Sequence, residues 1–124
     1  MGATIRHWET IKPTIGHGTS IIWNIFGQKA EGKPLAEAPL IGYQNFTLHL
    51  LQPHSEGDYH SHTTKEQIFY ITRGKGKMNL DDKLIPVRAG DTIHIPPPTK
   101  HQIINDSEDW LEHLVITVLI PAQK

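Results

Sequence analysis

The stretch "GDYHSHTTKEQIFY", residues 57–70, sets two histidines one residue apart and follows them with an acid–amide pair. In a β-strand, residues i and i+2 point to the same face. His60 and His62 on a strand therefore present two imidazoles side by side, a pincer for a divalent ion. An H-x-H pair alone equally describes two surface histidines, so the rest of the ligand set decides. Glu66 and Gln67 stand where a chain re-entering a sheet supplies an oxygen donor. A second stretch, "GDTIHIPPPTKHQIIN" at 90–105, leads through prolines to His101 at the start of a strand-like run. Three imidazoles and one oxygen suit one divalent transition metal ion: Zn, Ni, Fe, Mn or Co.

Glu66 and Gln67 are neighbours on the strand and must face opposite ways. With Gln67 inward, Phe69 and Ile71 share its face. With Glu66 inward, Ile68, Tyr70 and Thr72 do. The first choice gives the more apolar lining, which fits a small-molecule pocket. Gln67 is the favoured fourth ligand and Glu66 the alternative, read otherwise as a solvated charge or an acceptor for a ligand imidazole N–H. Phe69, Ile71 and Ile103 are the expected pocket lining. A carboxylate ligand would cancel one of the metal's two positive charges, whereas the amide leaves both. The amide thus favours Lewis-acid over redox chemistry.

Around these motifs, short runs rich in β-branched and aromatic residues recur between Gly, Pro, Asn and Asp. They are 20–26, 43–51, 67–72, 77–80, 83–87, 91–95, 101–105 and 113–120. "AEGKPLAEAP" at 30–39 has helix formers cut by two prolines and reads as a surface loop. "LDDKL" at 80–84 reads as a hairpin turn, and "RAGDT" at 88–92 as another, with Gly90 free to take a positive φ. Many short strands at close spacing predict an all-β sandwich or barrel in one domain of 124 residues.

The net charge of −1, from 12 basic and 13 acidic residues, gives no basic cluster for nucleic acid. "LVITVLI" is too short an apolar run to span a bilayer. "MGATIRHWETIK" has no apolar signal region and carries Arg6 where myristoylation wants Ser or Thr, so a cytoplasmic protein is expected. The absence of cysteine excludes disulfides and thiolate ligands. Nine histidines in so short a chain favour metal binding or proton transfer.

Taken together, the two histidine stretches resemble the motifs of the cupin superfamily. Its second motif runs Gly, five residues, Pro-x-Gly, two residues, His, three residues, Asn. Gly90, Pro96, His101 and Asn105 fall in register, with Pro98 standing where the family has Gly. The first motif, H-x-H followed by an oxygen ligand and, six residues later, Gly, matches His60, His62 and Gly74. Counting back from Gly74 gives Gln67; Glu66 fits only the shorter gap after His62. His54 occupies the usual leading Gly position, with Gly57 three residues on. The motifs cover 57–105, leaving 1–50 as N-terminal strands and loop and 106–124 as a C-terminal strand.

The resemblance implies a jelly-roll β-barrel (a double-stranded β-helix) of the small single-domain kind, holding a metal through His60, His62, Gln67 and His101. It implies a small-molecule substrate and a homodimer exchanging N-terminal strands. Small cupins with this ligand layout include proteins that linearise unsaturated uronates, polyketide cyclases and sulfoniopropionate lyases. Non-redox isomerisation, ring opening, cyclisation or elimination of a small oxygenated acid, ketone or sugar is therefore expected. Alternatives are a dioxygenase of a chelating diketone or flavonol-like compound and a non-catalytic sugar- or metabolite-binding module.

Other residues are weighed the same way. His113 shares a face with Leu111 and Val115; if that face is interior it is a candidate general acid/base near the metal, against the default reading of a hydrogen-bonded core histidine. His94 is expected to point outward and Asn105 to pin a turn. Tyr59 either gates the pocket or packs on the sheet, and Lys100 either steers an anion or is solvated. His7, His17, His49 and His54 carry no spacing argument, and Trp8, Trp23 and Trp110 read as core or subunit-contact residues.

Overall fold

The computed structural model describes residues 3–121; the Met-Gly start and residues 122–124 lie outside them. The strands are β1 (Thr14–Gly16), β2 (Ser20–Gly27), β3 (Asn45–Leu51), β4 (Ser55–Glu56), β5 (Lys65–Arg73), β6 (Lys75–Leu80), β7 (Lys83–Arg88), β8 (Thr92–Ile95), β9 (His101–Asn105) and β10 (Leu111–Leu119). Among the described residues the helical content is one 3₁₀ turn, Trp8–Thr10. A six-stranded antiparallel sheet runs β1-β2-β3-β10-β5-β8, and a four-stranded one β4-β9-β6-β7. These are the two layers of a jelly roll, so the all-β cupin-type fold expected from the motifs is the fold observed. It consists of two separately hydrogen-bonded sheets and not of one closed cylinder.

Alternation sorts each strand into an inner and an outer face. On β10, Leu111, His113, Val115 and Thr117 are buried while their neighbours are half-exposed. On β5, Phe69 and Ile71 are buried, and Ile68 and Tyr70 are 41% and 43% exposed. The interior also changes along the strands. Leu51, Ile71, Leu111 and Met78 are fully buried in one hydrophobic cluster with Ile93, Ile95 and Ile103, each contributing on the order of 1.5–3 kcal/mol. Toward the other end the same inner faces turn polar: Thr47 and His49 on β3, His113 and Thr117 on β10, Gln67 on β5. Fully buried Ile71 therefore belongs to the core beneath the cavity. It does not line the cavity, contrary to the sequence reading, because β5 carries it past the polar end.

Turn chemistry explains the connections. β6 and β7 join through Asp81 and Asp82, with φ of 50° and 69°, the two positive values that a two-residue hairpin needs. The family glycine Gly74 sits at φ 87° after β5, and a Cβ there would collide with the Trp110 carbonyl oxygen. His54, at the position where the family carries Gly, adopts φ 56° despite its side chain. Trp8 packs edge-on against Trp23 at 5.4 Å and stays 44% exposed, so it is not a core residue.

Candidate metal centre and its cavity

The histidine pincer forms, but not on a strand. His60 lies outside the named strands and pairs with the first residue of β9: its N–H donates to the His101 carbonyl at 3.1 Å, and His101 N–H returns a bond at 2.8 Å. His62 follows in irregular chain. The strand expected at 60–62 is thus replaced by a single bridge, which is enough to bring the rings together. Ring centroids lie 4.8 Å apart for His60–His62, 4.4 Å for His60–His101 and 5.4 Å for His62–His101. One nitrogen from each of the three falls within 4.8 Å of the others.

Two rings are held by their own backbone. His60 Nδ1–H donates to the Asp58 carbonyl at 3.1 Å, and His101 Nδ1–H to the Thr99 carbonyl at 3.0 Å. This fixes the tautomer that leaves Nε2 as the free lone pair. His101 Nε2 is buried and has no partner. Burial, with the neighbouring His60 and His101, pushes His62 down to about 4. Burial likewise lowers His101. Both are neutral at pH 7, the state in which imidazole binds a metal.

Gln67 faces the cavity with its Oε1 buried and without a partner. Glu66 points out of the sheet and accepts a 2.7 Å bond from His94 Nε2 on β8. The facing of the pair is therefore the one that puts Gln67, and not Glu66, among the histidines. The outward orientation expected for His94 is observed. The unsatisfied His101 Nε2, within reach of the nitrogens of His60 and His62, and the unsatisfied Gln67 Oε1 in the same cavity fit a divalent transition metal by donor type and by orphaned lone pairs.

Phe69 and Ile103 line the cavity as expected, and its volume is about 330 Å³. Phe69 stacks on His113 at 5.1 Å and meets His101 edge-on at 6.0 Å, so it touches both the metal histidines and the deeper imidazole. His113 is interior, the condition set for a proton carrier. Its Nδ1 has no partner, and burial holds it well below the usual histidine range.

Six of the nine histidines line this one cavity, and two of them carried no sequence signal. His49 is the cross-strand partner of His113, with ring centroids 4.9 Å apart. It shares a 2.9 Å bond with the Thr47 hydroxyl, and burial with nearby His17 lowers it to about 4. Alternation along β3, which sets His49 between Thr47 and Leu51, is the signal that places it inside. His17, in the β1–β2 turn, donates to Asp58 at 2.9 Å and stacks on His60 at 5.3 Å. Burial pushes the Asp58 carboxyl up, but the His17 bond and the His60 and His17 charges outweigh it and leave it below its usual range. No local pattern announces a turn residue that arrives from forty positions away.

The remaining assignments are structural. Asn105 is buried, donates toward the carbonyls of Leu51, Gln52 and Asp109, and accepts from Ser107, so it pins the turn as expected. The Tyr59 hydroxyl donates to Asp82 of the β6–β7 turn at 2.9 Å, and Lys100 sits 4.3 Å over its ring. Asp81 accepts from Lys100 N–H at 2.9 Å. The β6–β7 turn thereby grips the residues just before both His60 and His101.

Known proteins carry the same frame. Relatives include an uncharacterised protein of Methanocaldococcus jannaschii, 38% identical over 79% of this chain and 72% of its own length. An oxalate-binding protein of Thermotoga maritima is 31% identical over 56% of this chain and 58% of its own. Glucose-6-phosphate isomerases of Thermococcus and Pyrococcus match at 22–29% identity, and the chain spans 37–62% of their length. A crystal structure described as a predicted oxalate decarboxylase of Thermotoga maritima superposes with a TM-score of 0.78 at 23% identity, covering 94% of this chain and 99% of that one. The family described as Cupin domain matches residues 47–117, the span that carries both histidine motifs and the strands joining them. By that match, over more than half its length, the chain belongs to the cupin family.

Proposed function

We propose that this protein binds one divalent transition metal through His60, His62, Gln67 and His101 and catalyses a non-redox isomerisation-type reaction on a small oxygenated substrate. One observation carries the reading: His101 Nε2, grouped with nitrogens of His60 and His62, and Gln67 Oε1, lining the same cavity, are both buried without partners among the described residues. The metal's contribution when bound is Lewis acidity toward a carbonyl or carboxylate, undiminished by any anionic ligand. The protein's own residues do the rest. Asp58 and Thr99 carbonyls orient the His60 and His101 rings. Phe69, Ile103 and Val115 give the cavity apolar wall that limits water. His113, neutral at pH 7 and unpartnered at Nδ1, is the group that takes up and returns a substrate proton.

The isomerase relatives support the reaction class, and metal analysis tests the site. His60→Ala/His101→Ala protein is expected to lose metal that the parent holds at one equivalent. Unchanged stoichiometry would remove the proposal. Incubation of metal-replete protein with aldose, ketose or unsaturated uronate panels, followed by NMR, tests the reaction.

A second reading, binding without turnover, is favoured by the 31%-identical oxalate-binding relative. Ligand stabilisation without product formation in the same panels would select it. Exposed Ile15 on the edge strand β1, and exposed Trp8 packed on Trp23 of β2, support a homodimer formed through this N-terminal part of the sheet. Light scattering of the purified protein checks this.

A further inference from the structure

One wall of the cavity, which reaches Gln67 through the Thr117 hydroxyl, is polar yet almost uncharged. It is built from the inner faces of β3 and β10 and the residues just before β3: Gln44, Asn45, Thr47, His49, His113 and Thr117. Two atoms on it, Gln44 Oε1 and His113 Nδ1, are buried with no partner in the protein. A buried acceptor left unsatisfied costs on the order of 1–3 kcal/mol, and such groups call for an explanation. The amide oxygen of Gln44 can only accept. It is satisfied by a ligand that brings a donor.

Charge narrows the ligand further. An enclosed phosphate or second carboxylate needs Arg, Lys or a cluster of free backbone N–H groups. Among the described residues lining the cavity, Lys65 is the one Lys or Arg. It stands at the start of β5, near His62 and across the ladder from Leu119 of β10, and is not one of the six residues that form this wall. Backbone groups of β3 and β10 are paired along Leu111–Thr117 with Asn45–Leu51 and so form no anion cradle. The two imidazoles on the wall carry no compensating charge, because burial keeps both neutral at pH 7.

We infer that the part of the substrate that meets this wall is an uncharged, hydroxyl-bearing chain or ring, as in an unphosphorylated aldose, ketose or polyol, and that Gln44 accepts from one of its hydroxyls. This rests on the metal reading above for the substrate's other end. It separates this chain from a sugar-phosphate enzyme by the composition of one wall. A site built to hydrogen-bond a hydroxyl discriminates strongly for ligands that carry it.

The test is calorimetric titration of metal-loaded protein with D-xylose, D-mannose, D-glucitol, glucose 6-phosphate and oxalate, repeated on Gln44→Met and Gln44→Glu. Gln44→Met keeps the side-chain length without the acceptor; Gln44→Glu keeps an acceptor oxygen. At least one neutral compound is expected to bind about tenfold or more tightly than glucose 6-phosphate. Gln44→Met is expected to weaken that binding about tenfold, and Gln44→Glu to restore most of it. Oxalate, whose two carboxylates both reach the metal, keeps its affinity in both variants and reports that they are folded and loaded. Tighter binding of glucose 6-phosphate, no binding by any neutral compound, or indifference to Gln44→Met overturns the inference. Failure of the metal reading looks different: the protein takes up no metal and no oxalate, while neutral binding still depends on Gln44.

Discussion

Gln67 and Thr117 face each other across the β5–β10 ladder, and the Gln67 amide nitrogen donates to the Thr117 hydroxyl at 3.1 Å. The bond occupies the nitrogen end of the amide and leaves the oxygen end buried and unpartnered in the cavity that the histidines line. A residue that would otherwise swing is oriented by one hydroxyl on the neighbouring strand.

That relationship separates the two candidate oxygen ligands. Gln67→Ala is expected to lower metal affinity by at least about 10–100-fold, read by competition with a chromophoric chelator. Gln67→Glu should tighten it, since the Thr117 hydroxyl can donate where it now accepts. Glu66→Gln breaks only an exposed pair with His94, worth under about 1 kcal/mol, and should leave affinity unchanged. Loss of metal in Glu66→Gln with retention in Gln67→Ala would reverse the assignment.

The buried imidazoles of His49 and His113 make the metal-free protein acid-sensitive. Burial lowers His49 to about 4 in the fold against an ordinary value of 6.5, and holds His113 well below that ordinary value. Between these values the unfolded chain binds protons that the fold refuses. The stability they contribute is therefore complete above about pH 6.5 and falls as pH drops toward 4, by up to about 1.4 kcal/mol per pH unit for each histidine. Thermal unfolding of chelator-treated protein at a series of pH values checks this, and His49→Gln should flatten the slope. A melting temperature that stays level from pH 7 to pH 5 contradicts it.

Gly74 combines a positive φ with a carbonyl pressed where a side chain would begin. Gly74→Ala is expected to cost about 3 kcal/mol, from the left-handed backbone and the collision with Trp110, measured by urea denaturation. The family motif asks for glycine at this position for that reason.

Asn105 is a packing residue and not a ligand. Asn105→Asp replaces a donor that serves three carbonyls with an acceptor facing them, and should destabilise by roughly 2–4 kcal/mol. Metal stoichiometry in the surviving folded fraction should match the parent's. A variant that is stable but empty would move Asn105 into the site.

The eight strands visible in the sequence are those long enough for alternation to register. β1 and β4, of three and two residues, are not. Of the candidate site, the cavity positions of His60, His62, Gln67 and His101 were legible because their spacing is local within two motifs. The alternation that turned Phe69 inward also turned Gln67. Ile71 was misplaced because alternation gives the face and not the depth along the barrel. Alternation along β3 could have turned His49 inward, but its pairing with His113 is set across the sheet, and His17 arrives on a turn from far along the chain, relations that no window of sequence contains.

His60 and His101 each bond the carbonyl two residues upstream of themselves. Both rings are thus tethered to rigid main chain before any ion arrives. Metal-free and metal-loaded forms should superpose closely, and the ion should enter without rebuilding its berth, so that exchanging one metal for another alters reactivity while the scaffold stays as it was.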